Sequence, residues 1–379
     1  MRKNLALYSL CMLFLLSALC LTGCGGPKEV TDLPLSLEVC GQTFEGTYSG
    51  FAEKEIPSGE GTFTCASGDA EIRVSGVWEA GVFTGSGNME LSPFSLDYQN
   101  VTYTGTYSGE IAGRVPDGSG TFAADLDEGF FSYDGHWKDG NISGKGRLKT
   151  SLYVQTLPDG YVLPGEFEGE VLDGLPDGTG SFSNVNAQGV RWTYTGEWKD
   201  GLFNGHGRES GEDGYAIEGT FQDSRAAFTP YEYMLNMSEA GYGVPVADET
   251  KALLKELEPY FAARDLSGYE GEFDTQFKFS DYMENPGEYT ETVLRLKGQV
   301  VQSDKMDNWG VEAAYANIQG TKEKKAVYLV IYCGHISSKL QHRSIVFTAV
   351  PLGPYAFQTY GGKNVPCILC AGIVLERAG

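Results

Sequence analysis

Along residues 40–228 the apolar and polar positions alternate in twos. A bulky apolar residue, a glycine two on and an aromatic two further recur at Phe44-Gly46-Tyr48, Val74-Gly76-Trp78, Tyr103-Gly105-Tyr107, Tyr133-Gly135-Trp137, Leu163-Gly165-Phe167, Tyr194-Gly196-Trp198 and Ile217-Gly219-Phe221. The first six triplets are each followed by Gly-x-Gly, from Gly59/Gly61 to Gly205/Gly207. Spacing of two puts each triplet on one face of an extended strand and residues such as Thr195 and Glu197 on the other. Asp200-Gly201 is a tight-turn signal, because the turn needs positive φ. Each unit therefore predicts one β-hairpin with an aromatic-and-glycine face and a polar face.

A glycine inside a strand weakens it unless packing requires the missing side chain. The expectation is that each absent Cβ leaves a slot for a neighbouring ring. One hairpin cannot bury such a face, whereas stacked hairpins can. From the second aromatic to the first glycine of Gly-x-Gly the distances run 11, 7, 11, 7, 11, 7. This alternation predicts a sixty-residue double unit in which every other hairpin carries four extra residues and projects at its tip. The tips carry Phe51, Ile111 and Val171 as candidate partner contacts, and Pro-Asp/Ser-Gly as turn residues.

Y-x-G-x-W-x-x-G followed by G-x-G resembles the MORN repeat (membrane occupation and recognition nexus). The resemblance covers roughly residues 40–228 and implies a single-layer, antiparallel, twisted sheet serving as a scaffold or contact surface. The alternating insertion is a departure from that pattern.

The grammar changes near Phe228. Thr229-Pro230-Tyr231-Glu232 is a capping box with proline at the first helical position. Leu253, Leu254, Leu257, Tyr260 and Phe261 follow helical spacing after Asp248. Beyond, the pattern predicts a brief helix stopped at Asn285-Pro286 and strands over 293–301, 326–333, 344–352, 355–360 and 365–376. This stretch, about 275–379, resembles an OB-fold domain of bacterial surface proteins. The predicted class is mainly β: a single-layer MORN-type hairpin array at 40–228, a helical connector at 229–270 and a small OB-like barrel at 271–379.

Residues 1–23 read as a secretory signal, with Arg2 and Lys3 ahead of an apolar run too short for a convincing span. Leu21-Thr22-Gly23-Cys24 resembles a bacterial lipobox. That resemblance implies lipidation of Cys24, a tether over 24–39, and a location in the bacterial cell envelope on the extracytoplasmic side of a membrane. The charge modifies this picture. Residues 27–228 hold 12 basic and 32 acidic residues, and 229–379 hold 14 and 19. An acidic array is repelled by anionic headgroups and phosphate backbones. Membrane contact is thus expected through the lipid alone, with no nucleic-acid partner.

Cys40 and Cys65 flank the first hairpin. If Tyr48 pairs with Gly59 they fall close to opposite positions, so a disulfide between them is open. Cys333-x-His335 with Cys367-x-x-Cys370 does not read as zinc, since Cys367 and Cys370 would face opposite ways along a strand. No catalytic, metal or cofactor motif appears. The expectation is a non-enzymatic binding or scaffold protein whose partner is a protein or an envelope polymer. Carbohydrate binding through the aromatic row Tyr48, Trp78, Tyr107, Trp137, Phe167 and Trp198 is the alternative, with the tryptophans also candidate partner contacts. Facing carboxylates of glycosidase type are a third reading.

Overall fold

The computed structural model describes residues 26–378, apart from Asp69, Glu128, Asp307, Lys324 and Tyr360. It contains β1 (Lys28–Val39), β2 (Gln42–Glu53), β3 (Ile56–Ser67), β4 (Ala70–Glu79), β5 (Val82–Tyr98), β6 (Val101–Ala112), β7 (Val115–Leu126) and β8 (Gly129–Lys138). The array continues through β9 (Asn141–Thr156), β10 (Val162–Leu172), β11 (Leu175–Val185), β12 (Arg191–Lys199), β13 (Leu202–Gly211), β14 (Ala216–Gln222) and β15 (Arg225–Ala226). Sheet order equals chain order throughout, as hairpin stacking requires. By contacts the chain divides into two compact units, Met1–Leu91 with Ile111–Val115 and Ser92–Glu110 with Pro116–Gly379.

The hairpins are of one length, which corrects the alternation read from sequence. Residues 48, 74, 107, 133, 167, 194 and 217 occupy equivalent positions, each followed two residues on by a glycine. The turns lie six residues after each, at Lys54-Glu55, Ala80-Gly81, Gly113-Arg114, Asp139-Gly140, Asp173-Gly174, Asp200-Gly201 and Asp223-Ser224, with both residues at positive φ. These are the mirror-image turns whose twist suits a hairpin. From Tyr48 to Gly59 and from Tyr194 to Gly205 the count is the same 11. The apparent insertion came from triplets such as Phe44-Gly46-Tyr48, which lie four residues upstream of the equivalent Tyr194-Gly196-Trp198. The prolines expected in the tips instead open the returning strands β3, β7 and β11, buried at Pro57, Pro116 and Pro176.

The extra length lies at the opposite edge, in β5 and β9, and it covers the rings. Phe94 at the far end of β5 reaches Tyr107, Phe122 and Trp137 on three successive strands, at centroid distances of 5.6, 5.9 and 6.1 Å. Only a strand end lying across the face can do this. Tyr98 donates to the Gly174 carbonyl at 2.9 Å, in a turn 76 residues ahead. On β9, Tyr153 packs against Phe167 and Phe182, and the Gln155 amide donates to Gly201 O at 2.9 Å. In the first unit, Cys40 N donates to Arg114 O at 3.0 Å, a link of the same kind.

Glycine pairs with glycine across the strands, at Gly50–Gly61, Gly61–Gly76, Gly135–Gly146, Gly180–Gly196 and Gly196–Gly207. A Cβ added at Gly61, Gly146 or Gly207 would collide with the ring of Tyr48, Tyr133 or Tyr194. The rings thus fill the slots the glycines leave. Their hydroxyls donate to the carbonyl three residues on, at 2.8 Å for Tyr48, 2.9 Å for Tyr133 and 2.8 Å for Tyr194.

The last repeat is capped by α1 (Pro230–Asn236), which begins with the expected Thr229–Glu232 capping box. Asn236 accepts from Glu218 N and donates to Glu218 O, at 2.9 and 2.8 Å, as a strand residue would. A helix thereby covers the sheet end and satisfies its backbone. A π-turn over Met237–Gly241 follows, then α2 (Asp248–Glu256), α3 (Glu258–Ala263) and α4 (Phe279–Glu284).

Strands β16 (Leu294–Lys305), β17 (Ala313–Gly320), β18 (Val327–Cys333), β19 (Ser344–Gln358) and β20 (Asn364–Arg377) close into a barrel in the order β16-β17-β18-β20-β19. The β18–β20 pair is parallel and the other pairs antiparallel. Five strands were expected, but not these five. AAYANIQG forms β17 without β-branched residues beyond one isoleucine, its Ala314, Ala316 and Ile318 facing the core. Expected strands 344–352 and 355–360 are one continuous β19 that bends through Gly353-Pro354 with register shifts.

Candidate functional site

The expected contact residues separate sharply. Ile111, Val171, Trp78, Trp137 and Trp198 are 0–3% exposed, while Phe51 is 39% exposed. The reason is register. Ile111 and Val171 lie four residues after their ring-face aromatic and share its face, whereas Phe51 lies three after Tyr48 and points outward. The inward place in the first hairpin belongs to Ala52, at 3% exposed. Tyr48, Tyr107 and Phe167 are equally buried, so the whole row is core and offers no face to a glycan. That reading of the row is corrected accordingly.

The Cys40–Cys65 pairing is also corrected. Tyr48 pairs with Phe63, not Gly59, and Cys65 therefore lies opposite Gly46, while Cys40 sits in the β1–β2 turn. The four strand residues between them alone span roughly 13 Å, beyond disulfide reach. Both are free thiols, as are the buried Cys333, Cys367 and Cys370. Burial pushes the Cys333 and Cys367 thiols up to about 12, opposite to what a metal-binding thiolate needs. Cys24 and the signal segment lie outside the described residues. His136, His206, His335 and His342 are exposed.

The array's outer face is acidic and polar. Asp117 binds Lys138 and Asp177 binds Lys199, each at 2.7 Å, and the pairing holds both carboxyls below their usual range. Exposed pairs of this kind contribute little stability. Glu209 is different. It lies on the ring face beside Trp192, and burial pushes its carboxyl up to about 7.

A concavity suited to a ligand lies on the barrel flank. It measures about 850 Å³. Alternation along the strands builds it. Ala314, Ala316, Tyr328 and Val330 face the barrel core, while Tyr315, Asn317, Gln319, Val327 and Leu329 face the cavity. Val301 and Gln302 of β16, Tyr355 and Phe357 of β19, and Val365 of β20 complete the wall. Tyr242, from the connector, stands edge-on to Tyr355 at 5.3 Å. The Gln302 amide donates to the Tyr315 hydroxyl at 3.0 Å. Burial, with Tyr355 and Tyr315 nearby, pushes Tyr242 up to about 12, so it is a neutral phenol at any physiological pH.

Two features define the chemistry. Among the described residues no charged side chain lines this cavity. Asn317 Oδ1 is buried there without a hydrogen-bond partner among the described residues. A buried unpaired acceptor costs about 1–3 kcal/mol, and with under 1 Å² of accessible surface this oxygen meets a ligand donor only when the side chain turns. Phosphates find no cation, while flat apolar faces find Tyr315, Tyr355 and Phe357. This site is not legible in the sequence, because its residues come from five strands and the connector and none forms a local motif.

One wall of the barrel is already engaged. In the β16–β17 loop, Met306 O accepts from Tyr233 Oη at 2.8 Å and Trp309 O accepts from Phe228 N at 3.1 Å. Trp309 packs 5.7 Å from Phe228 and 6.0 Å from Tyr233. Gly310, at φ 75°, lies so close to Ala226 that a Cβ would sit 2.9 Å from its carbonyl oxygen. This loop fastens barrel to array.

Comparison with known proteins adds the following. Four segments, residues 56–70, 133–150, 167–186 and 194–214, match the MORN repeat. The chain is similar to Alsin from Rattus norvegicus, 38% identical over 94 residues, and to Alsin from Homo sapiens, 37% identical over 94 residues. The matched part is 24% of this chain and 5% of either relative, so the chain spans a small fraction of their length. The protein thus carries MORN repeats, and the repeats point to a binding or scaffold role.

Proposed function

We propose that this is a lipid-anchored extracytoplasmic binding protein of a bacterial envelope, in which the repeat array is the scaffold and the barrel flank receives an envelope partner. The observation carrying the binding assignment is the uncharged, tyrosine-and-amide cavity with its unpaired Asn317 acceptor. It suits a neutral, hydroxyl- or amide-bearing polymer, a glycan or a peptide, and disfavours nucleic acid, which needs cations along its backbone. The OB-like topology supports this by analogy only, because fold does not set function. Among the described residues no carboxylate or histidine stands in the cavity to pair with its hydroxyls as acid or base, which favours binding over catalysis. The lipobox-like sequence ending at Cys24 supports the anchor, several acyl chains being enough for stable attachment.

Two experiments test this reading. The full chain in detergent is titrated calorimetrically with soluble cell-wall glycan fragments and with short uncharged peptides. Binding to one of them should weaken at least tenfold in Asn317→Ala and Tyr355→Ala. No binding to either, or binding indifferent to both variants, would refute the cavity. For the anchor, Cys24→Ala should move the protein from the membrane to the soluble fraction, and unchanged fractionation would refute it.

A further inference from the structure

The outward position three residues after each of the equivalent residues 48, 74, 107, 133, 167, 194 and 217 is occupied by Phe51, Val77, Glu110, His136, Glu170, Glu197 and Thr220. In five of them the side chain bonds a neighbouring group. Glu110 accepts from Ser119 N at 2.7 Å, Glu170 from Thr179 N at 2.6 Å and Glu197 from His206 N at 3.1 Å. His136 Nδ1 meets Gly118 O at 3.0 Å, and Thr220 donates to Glu232 at 3.0 Å. The first two repeats depart. Phe51 and Val77 cannot make such a bond, and they are 39% and 41% exposed.

They do not stand alone. Ile56 and Val82, each the residue after a turn, are 50% and 43% exposed. The four share the outer face of β2 to β5, within one compact unit. Val77 pairs with Glu60 across β3 and β4, and Phe51 Cβ lies against Gly59. Ile56 approaches Gly81, next to Val82. Contiguous exposed apolar surface marks an interaction site.

We propose that this patch docks a protein segment whose apolar side chains are flanked by lysine or arginine. The occupant follows from the rim. Glu29, Glu53, Glu55, Glu60 and Glu79 border the patch against Lys28 and Lys54, a local net charge of −3. None of these carboxylates is in an ion pair among the described residues. An anionic bilayer surface is repelled, and an isologous second copy would bring two such rims together. A cationic rim on the partner supplies complementarity and steering, and the apolar centre supplies burial.

The test uses the full chain in the cells that make it. A photo-crosslinking benzophenone side chain replaces Val82, or Asn141 at the equivalent place two repeats on. The Val82 probe should crosslink to a protein, and mass spectrometry of the joined peptide should show apolar residues flanked by Lys or Arg. The Asn141 probe should not. Phe51→Glu with Val77→Glu installs the residue found in three other repeats, so the fold should persist by circular dichroism while the crosslink falls at least tenfold. Absence of the Val82 crosslink, crosslinks to lipid or a second copy, or a yield unchanged in the double variant would each overturn the proposal. The barrel cavity is untouched by these changes, so glycan or peptide binding there reports separately.

Discussion

Adding one methyl group at Gly207 tests the packing rule on which the array depends. Its Cβ would stand 2.6 Å from Cζ of Tyr194, far inside contact distance. The ring has nowhere to go. It is fully buried, stacked on Phe203 at 3.9 Å and 11°, and held edge-on by Phe221 at 5.1 Å. Its hydroxyl donates to Glu197 O at 2.8 Å. Overpacking of this kind costs about 1–3 kcal/mol. Losing the hydroxyl's bond adds about 0.5–1.5 kcal/mol. Alanine in place of a strand glycine returns about 0.5–1 kcal/mol. Gly207→Ala should therefore destabilise by about 0.5–4 kcal/mol, the overpacking and hydrogen-bond losses less that gain. The assay is equilibrium urea unfolding of the full chain followed by tryptophan fluorescence. Tyr194→Leu in the same chain removes the collision, so the double variant should be less destabilised than the sum of the two by at least about 1 kcal/mol. A Gly207→Ala midpoint at or above wild type, or strict additivity, would refute the ring-in-slot account.

Ile111→Ala and Val171→Ala should each cost about 1–4 kcal/mol, because both side chains are buried, whereas Phe51→Ala should cost under about 1 kcal/mol; urea midpoints decide, and the reverse order would return the residues to the surface. Glu209 has its folded pKa raised by burial, so the folded state holds the extra proton between the ordinary carboxyl range and about 7. Stability from this group is present at low pH and is lost as pH rises through that window, so Glu209→Gln should be more stable at pH 8 and should flatten the pH dependence of the thermal midpoint. Trp309→Ala removes the wedge between Phe228 and Tyr233, and should split the unfolding of array and barrel into two calorimetric transitions; one unchanged transition would dispose of the wedge.

Much of the array was legible because its rule is local. A period of two, glycines at fixed places and positive-φ turn residues specify a hairpin without reference to the rest of the chain. The error in the repeat length has a physical origin. The apolar-Gly-aromatic triplet lies four residues further from the turn on β2, β6 and β10 than on β4, β8, β12 and β14, and only cross-strand register reveals the offset. That same register decided Cys40 and Cys65, and it sent Ile111 and Val171 inward while leaving Phe51 outside.

The sequence alone determined the hairpin as the repeating unit, the capping box that begins α1, and a β-rich end that follows a short helical connector. Tertiary structure alone decided that the far ends of β5 and β9 lie across the rings, that AAYANIQG is the second barrel strand, and that the cavity around Asn317 exists. Spacing along a strand states which side chains share a face. What covers that face depends on residues 13 to 76 positions away, whose contacts carry no local periodicity.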